Sequence, residues 1–213
     1  MDYGHAINIP PASVYEIPPG HDAWVMGDDP WVTVEWTSAR VFGLVPEGAS
    51  EGVLVTVLFT DIVDPTATLQ RMGDRAWRDL LLVHNTRLRD QLNIFRGREV
   101  KTTGDGFFAV FDSPARAVRC GAAMATSARQ MDLPIRVGVH TGEVELVGSD
   151  ARGFAVHAPA RVMALGGPDE VLVSSTTFDL LEGSGLKLEE AGTHEMKGLP
   201  GARNVFRLVR GAT

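Results

Sequence analysis

Residues Lys101–Phe111, "KTTGDGFFAVF", set a lysine and an aspartate four positions apart in front of the apolar run Phe107–Phe111. An apolar run of that length after a glycine-rich turn reads as a buried strand, with Gly104 and Gly106 bracketing Asp105. The longer stretch "GREVKTTGDGFFAVF" is therefore strand, tight turn, strand. Opposite charges at the mouth of a core need a reason beyond packing. A second stretch, "VLVTVLFTDIV" (Val53–Val63), ends a continuous run of central-strand length on another aspartate, Asp61. Two carboxylates brought together repel, and each costs several kcal/mol to bury without a cation. Hard divalent metals take oxygen ligands, and Mg²⁺ is commonly held by one or two carboxylates plus substrate phosphates. With no fixed cation evident beside them, Asp61 and Asp105 suggest a Mg²⁺ or Mn²⁺ site. Spacing alone is equally served by Asp61 capping the next helix and Asp105 filling its turn.

Working outward, the pattern from Val53 onward is α+β. "GDRAWRDLLLVHNTRLRDQLNIF" repeats Trp77, Leu80, Leu81, His84, Leu88 and Leu92 at helical spacing, and Asp74 is the expected N-cap. Ser113 and Pro114 open a further helix that runs to Gln130, with the single cysteine, Cys120, as a small core residue. "LPIRVGVHTGEVELVG" reads as strand, "GFAVHAPARVMALG" as a short helix, "EVLVS" as strand and "STTFDLL" as helix. A strand, a polar turn and a last strand, "LKLEEAGTHEMKGLPGARNVFRLV", complete the pattern.

Residues 1–50 have a different texture. They are rich in proline, carry three of the four tryptophans (Trp24, Trp31, Trp36) and alternate as short strands in "WVTVEWTSARVFGLV". "IPPGHDAWVMGDDPW" resembles the second half of a cupin barrel, but fifty residues cannot close such a barrel. No His/His/Glu ligand set accompanies His21, which reads as a turn or packing residue. "VPEGASEG" reads as the linker into a main domain, giving an expected division at residues 1–50 and 51–213. A net charge of −7 disfavours nucleic acid and anionic membranes as partners. One cysteine excludes an internal disulfide framework and fits a reducing compartment. No apolar run approaches the ~18 residues of a membrane span, and no signal peptide is evident, so a cytoplasmic location is expected.

At this point five collinear motifs coincide. "LFTDIV", "EVKTTGDGFFAVF", "VGVHTGEV", "GFAVHAPARVMALGGPDEVLVS" and "HEMKGLPG" resemble the class III nucleotidyl cyclase catalytic domain, over roughly Val53–Val209. The likeness is to the bacterial group in which histidine stands at the transition-state asparagine position. The resemblance implies a ferredoxin-like α+β fold whose mostly antiparallel central sheet carries helices. It implies two divalent ions, Mg²⁺ or Mn²⁺, at Asp61 and Asp105, with the Ile62 carbonyl as a further ligand. Lys101 and Asp150 would read adenine, and Lys197 would contact phosphates. His157 and Arg161, at i and i+4 on one helix face, would serve the transition state. His140 of "GVHTG" reads as structural.

In that family two domains wrap head to tail. One protomer would supply Asp61 and Asp105, and its partner Lys101, Asp150, His157 and Arg161, making a homodimer with two sites. The expected reaction is ATP to 3′,5′-cyclic AMP and pyrophosphate. A lysine donor with a carboxylate acceptor complements the N1 acceptor and N6 donor of adenine, whereas guanine presents the opposite pattern. A guanylyl cyclase is therefore disfavoured, and a quiet nucleotide-binding or dimerisation module is the other alternative. One departure counts against strong activity. Where the family carries a small Gly-Ser/Thr loop after the first aspartate, this chain has "DIVDPTATLQ". Asp64 adds a carboxylate and Pro65 removes an N–H donor, which points to weak activity or reliance on Mn²⁺.

Overall fold

The structure, a computed structural model, describes residues 52–102, 104–147, 150–152, 154–196 and 201–209; of residues 146, 147, 150–152 and 154–156 it describes the backbone. The expected N-terminal segment, its cupin-like turn and His21, and the position of Lys197, lie outside the described residues.

The elements run β1 (Val53–Ile62), α1 (Pro65–Met72), α2 (Asp74–Ile94), β2 (Arg98–Thr102), β3 (Phe107–Phe111), α3 (Pro114–Arg129), β4 (Ile135–Val147), β5 (Asp150–Arg152), α4 (Phe154–Ala164), β6 (Val171–Ser174), α5 (Ser175–Asp179), β7 (Leu188–Glu195) and β8 (Ala202–Leu208). The sheet order is β2-β3-β1-β4-β6-β8-β7, with β5 paired to β4. All pairings are antiparallel except β4 with β6. This is the α+β architecture expected, a mixed sheet with helices packed on it.

Side-chain alternation along β1 sorts the molecule into layers. Leu58 and Ile62 point into the main core with Leu88 and Leu92 of α2, Met124 and Cys120 of α3, and Phe107, Ala109 and Phe111 of β3. Val55 and Val57 point the other way, with Phe108, Val110 and Val144. On that second face α4 lays Ala158 and Val162 against Leu172 and Val205. Gly138 lets it come close: a Cβ there would lie 2.2 Å from the Pro159 carbonyl oxygen. Any side chain at 138 would push α4 off the sheet.

Three local expectations change. Asp74 is the first residue of α2 rather than its cap, which is Gly73; its carboxylate sits in the first turn, where the helix dipole favours it. The stretch after β1, expected as a loop, forms α1 with Pro65 in the first turn. Asp150 heads a short strand of its own, β5. Ser113 caps α3 as expected, its hydroxyl accepting from the Arg116 N–H at 3.4 Å.

Candidate active site

Asp61 lies at the end of β1, directly opposite Arg136 of β4. Opposed residues of an antiparallel pair share a face, and here they form an ion pair: Arg136 Nη2 donates to Asp61 Oδ2 at 2.7 Å. The expectation that Asp61 has no fixed cation beside it is thereby corrected. The guanidinium reaches it across strands, a contact between residues 75 positions apart.

β3 follows β1 in register as far as Phe59 opposite Phe108. The pairing is pinned at its end by the Phe107 N–H donating to Thr60 Oγ1 at 3.0 Å. Continuing the register brings Gly106 level with Asp61, so Asp105 follows at the adjoining strand end, about one strand spacing (~5 Å) away laterally. Gly104, at φ 89°, supplies the left-handed turn residue before it. Asp105 also lines a hollow of about 270 Å³ with Pro65, Thr66 and Leu69 of α1, Trp77 and Leu81 of α2, and Gly104. The N-terminal turn of α1 thus lines the same hollow as Asp105. Its unbonded backbone N–H groups and the helix dipole make that end receptive to anions. Asp64 precedes it in the left-handed region (φ 49°, ψ 51°) without a side-chain capping bond, and is exposed.

Among the described residues no group of three or more His, Cys, Asp or Glu side chains converges for a metal. Two carboxylates and the carbonyl of the buried Ile62 would make an all-oxygen donor set. That set suits a hard divalent cation whose remaining positions are filled by water and phosphate oxygens.

Lys101, opposite Phe108 on β2, is exposed on the same sheet face as Asp61. Between them Phe59 and Phe108 stack with centroids 4.8 Å apart. His157 is exposed on α4, and Arg161, one turn later, is half-buried, flanking Ala158 and Val162, which point into the core. Asp150 is placed by its backbone opposite Val147. Within one chain, then, the register brings Asp61 and Arg136 together, with Asp105 in the turn before the neighbouring β3. Lys101 lies across β3 from them, and His157 and Arg161 are carried separately on α4.

His140 accordingly belongs to the framework. Its Nδ1 lies 2.8 Å from Ser174 Oγ, which continues through Thr177 and Thr141 to Thr56 as a chain of hydroxyls. Burial, with Arg203 nearby, pushes the imidazole down to about 4. Burial raises the Cys120 thiol to about 12, which makes it an inert core residue.

Arg136 is the site residue that the sequence reading missed. The alternation in "IRVGVH" puts Arg136, Gly138 and His140 on one face, which was the available sign.

The comparisons with known proteins agree with this fold. A Rhizobium meliloti (strain 1021) protein named "Putative adenylate cyclase 3" is 31% identical over 156 residues, covering 68% of this chain and 26% of the relative. An uncharacterized protein of Mycobacterium tuberculosis (strain ATCC 25618 / H37Rv) is 30% identical over 148 residues, covering 68% and 39%. The chain thus spans between a quarter and two-fifths of the length of these relatives. The crystal structure of the adenylyl cyclase CyaB from P. aeruginosa superposes with a TM-score of 0.69 at 20% identity, covering 76% of this chain and 98% of that one. The guanylate cyclase domain of RhGC from Catenaria anguillulae, in complex with GTP, gives 0.66 at 19%, covering 73% and 96%. At such identities these structures establish the fold. Residues 49–209 match the family described as the adenylate and guanylate cyclase catalytic domain, and the chain belongs to that family.

Proposed function

We propose that this domain is an adenylyl cyclase, converting ATP to 3′,5′-cyclic AMP and pyrophosphate at sites shared across a homodimer. The observation that supports the reading is that Asp105, in the turn before β3, shares a hollow with the N-terminal turn of α1, while Asp61 lies near the end of the neighbouring β1. Carboxylates for cations and backbone donors for phosphates then adjoin. The names of the relatives support a cyclase, and the adenine preference rests on Lys101 and Asp150.

Asp61, Asp105 and the Ile62 carbonyl would hold two ions, Mg²⁺ or Mn²⁺, which when bound lower the pKa of the ribose 3′-hydroxyl and bind the triphosphate. The 3′-oxygen attacks the α-phosphorus, and the bond to the bridging oxygen breaks as pyrophosphate departs. Arg136 adds a fixed positive charge on the triphosphate side. Lys101 donates to adenine N1 and Asp150 accepts from the N6 amino group. Arg161 and Lys197 stabilise charge growing on the phosphate oxygens, and His157 positions the ribose. The α4 residues and Lys101 come from the partner protomer, as the resemblance to the cyclase family implies. Residues 51–213 form the catalytic unit and 1–50 a separate N-terminal segment, in a cytoplasmic protein. Among the described residues no helix is long and apolar enough to cross a membrane.

A second reading, a quiet nucleotide-binding module, is favoured by Asp64 and Pro65 at the phosphate end of α1. One assay separates the two: purified protein with ATP or GTP and Mg²⁺ or Mn²⁺, with Asp61→Ala and Asp105→Ala as controls. Cyclic AMP from ATP that falls more than tenfold in both variants supports the cyclase. Cyclic GMP from GTP as the only product, or activity surviving in either variant, refutes the assignment.

A further inference from the structure

Lys101 lies on β2 and Asp105 in the turn that joins β2 to β3. β2 is an edge strand with β3 as its sheet neighbour, and the pairing is broken by a bulge between Glu99 and Lys101. Such a strand is free to shift unless a third element holds it. One does. Arg89, on the outer side of α2, donates from Nε to Glu99 Oε2 at 2.8 Å and from Nη2 to Glu99 Oε1 at 3.0 Å. The same Nη2 reaches Thr102 Oγ1 at 3.2 Å, and the Thr102 hydroxyl donates back to Glu99. The guanidinium also lies over the Phe107 ring, 5.3 Å from its centroid.

The four groups bracket the chemistry. Glu99 and Thr102 flank Lys101 on either side of the bulge, and Phe107 follows Asp105 by two residues. One planar cation therefore grips both strands of the hairpin, on the face opposite Lys101. The paired charges perturb one another accordingly: the Glu99 bond holds Arg89 above its ordinary value, and the Arg89 bond holds Glu99 below its own.

We propose that Arg89 is a positioning residue of the site, acting through Glu99, Thr102 and Phe107 to fix where Asp105 meets Asp61 and where Lys101 projects. The inference rests on the cyclase reading for its consequence on turnover, but its geometric content is independent of it. An exposed ion pair contributes little to stability, whereas displacing a reacting group by about 1 Å can cost ~100-fold in rate. Stability and site function should therefore separate.

The test compares wild type, Arg89→Lys and Glu99→Gln in the full chain. Arg89→Lys keeps the charge but loses the two-point grip. Arg207→Lys, which loosens a remote surface network with Glu170 and Glu189, is the control. Three readouts are taken: melting temperature, Mn²⁺ affinity by electron paramagnetic resonance without nucleotide, and kcat and KM for ATP. Melting temperatures within about 3 °C of wild type are expected throughout. Mn²⁺ affinity should weaken ~3- to 10-fold and kcat fall about tenfold or more in the Arg89 and Glu99 variants alone. Mn²⁺ affinity and kcat/KM within twofold of wild type, or losses that appear only as lower melting temperatures, would overturn the proposal. If wild type forms no cyclic nucleotide, the cyclase reading fails, and the Mn²⁺ titration still decides the role of Arg89.

Discussion

Replacing Arg136 by glutamine should tighten binding of a free divalent ion while weakening turnover of ATP, two effects of opposite sign from one side chain. The guanidinium contacts Asp61 at 2.7 Å, and both side chains are about 30% exposed (31% and 29%). With charge centres roughly 4 Å apart, an effective dielectric near 20 gives about 4 kcal/mol of gross attraction. Partial exposure screens the pair, and measured exposed pairs contribute about 1 kcal/mol or less. An incoming cation that must loosen this contact therefore meets a cost of up to about 1 kcal/mol. Removing the guanidinium lifts that cost, so Mn²⁺ affinity without nucleotide should rise by up to about 5-fold. Once a triphosphate is present the same charge becomes favourable, and its loss should lower kcat/KM. Calorimetric or paramagnetic titration of wild type and Arg136→Gln measures the first effect, and steady-state cyclic AMP formation the second. Because Asp61 loses its counter-charge, the metal-free variant should also melt earlier and recover on adding Mn²⁺. Unchanged or weaker Mn²⁺ binding in a variant that still folds would refute the idea that Arg136 competes for the carboxylate.

The remaining predictions concern assembly, pH and the first helix. Mixing inactive Asp61→Ala and Arg161→Ala chains should restore activity in roughly a quarter of all sites, since half of the random dimers are heterodimers and each carries one intact site; a dead mixture after proven exchange rules out the composite site. His140, held at about 4 against about 6.5 unfolded, contributes stability fully above pH 6.5 and loses it as pH falls toward and through 4. That is about 3 kcal/mol over the window, and the buried His84, whose value burial also lowers, acts in the same direction. Urea unfolding at several pH values should show a shallower slope for His140→Asn, and an identical slope would dismiss the histidine. Asp64→Gly with Pro65→Ser relieves a left-handed aspartate, restores a donor N–H and should raise kcat/KM for Mg²⁺-ATP several-fold, mainly through KM; no gain in a folded, dimeric variant would mean that Asp64 stays clear of the phosphates.

What the sequence disclosed, and what it hid, follows from the range of the interactions. The strand at Phe107–Phe111, the helix carrying Leu88 and Leu92, and the Ser113 cap were legible because each is written in local spacing. α1 was not. Its eight residues hold two threonines and bury no side chain, so no apolar stripe advertised it, although Pro65 after Asp64 was a usable mark of a helix start. Arg136 shows the limit more sharply. Alternation assigns it to the face of Gly138 and His140, but only the antiparallel register, closing a separation of 75 residues, sets it opposite Asp61. The reading of two carboxylates lacking a cation was therefore blind to register, which sets Arg136 beside Asp61. The same holds for Arg89 and Glu99, ten residues apart on a helix and an edge strand, whose pairing requires the bulge after Glu99 to aim both Glu99 and Thr102 at α2. Charge in this sheet is thus distributed by parity. On the face of Asp61 lie Arg136 and Lys101, and on the opposite face the Arg89 cluster braces the hairpin. A one-residue slip of β2 would exchange those faces, sending Lys101 toward α2 and Glu99 toward the carboxylate pair, where a third negative charge would oppose both metal and nucleotide. The brace on β2 and the chemistry on its other face are, in that sense, fixed by the same register.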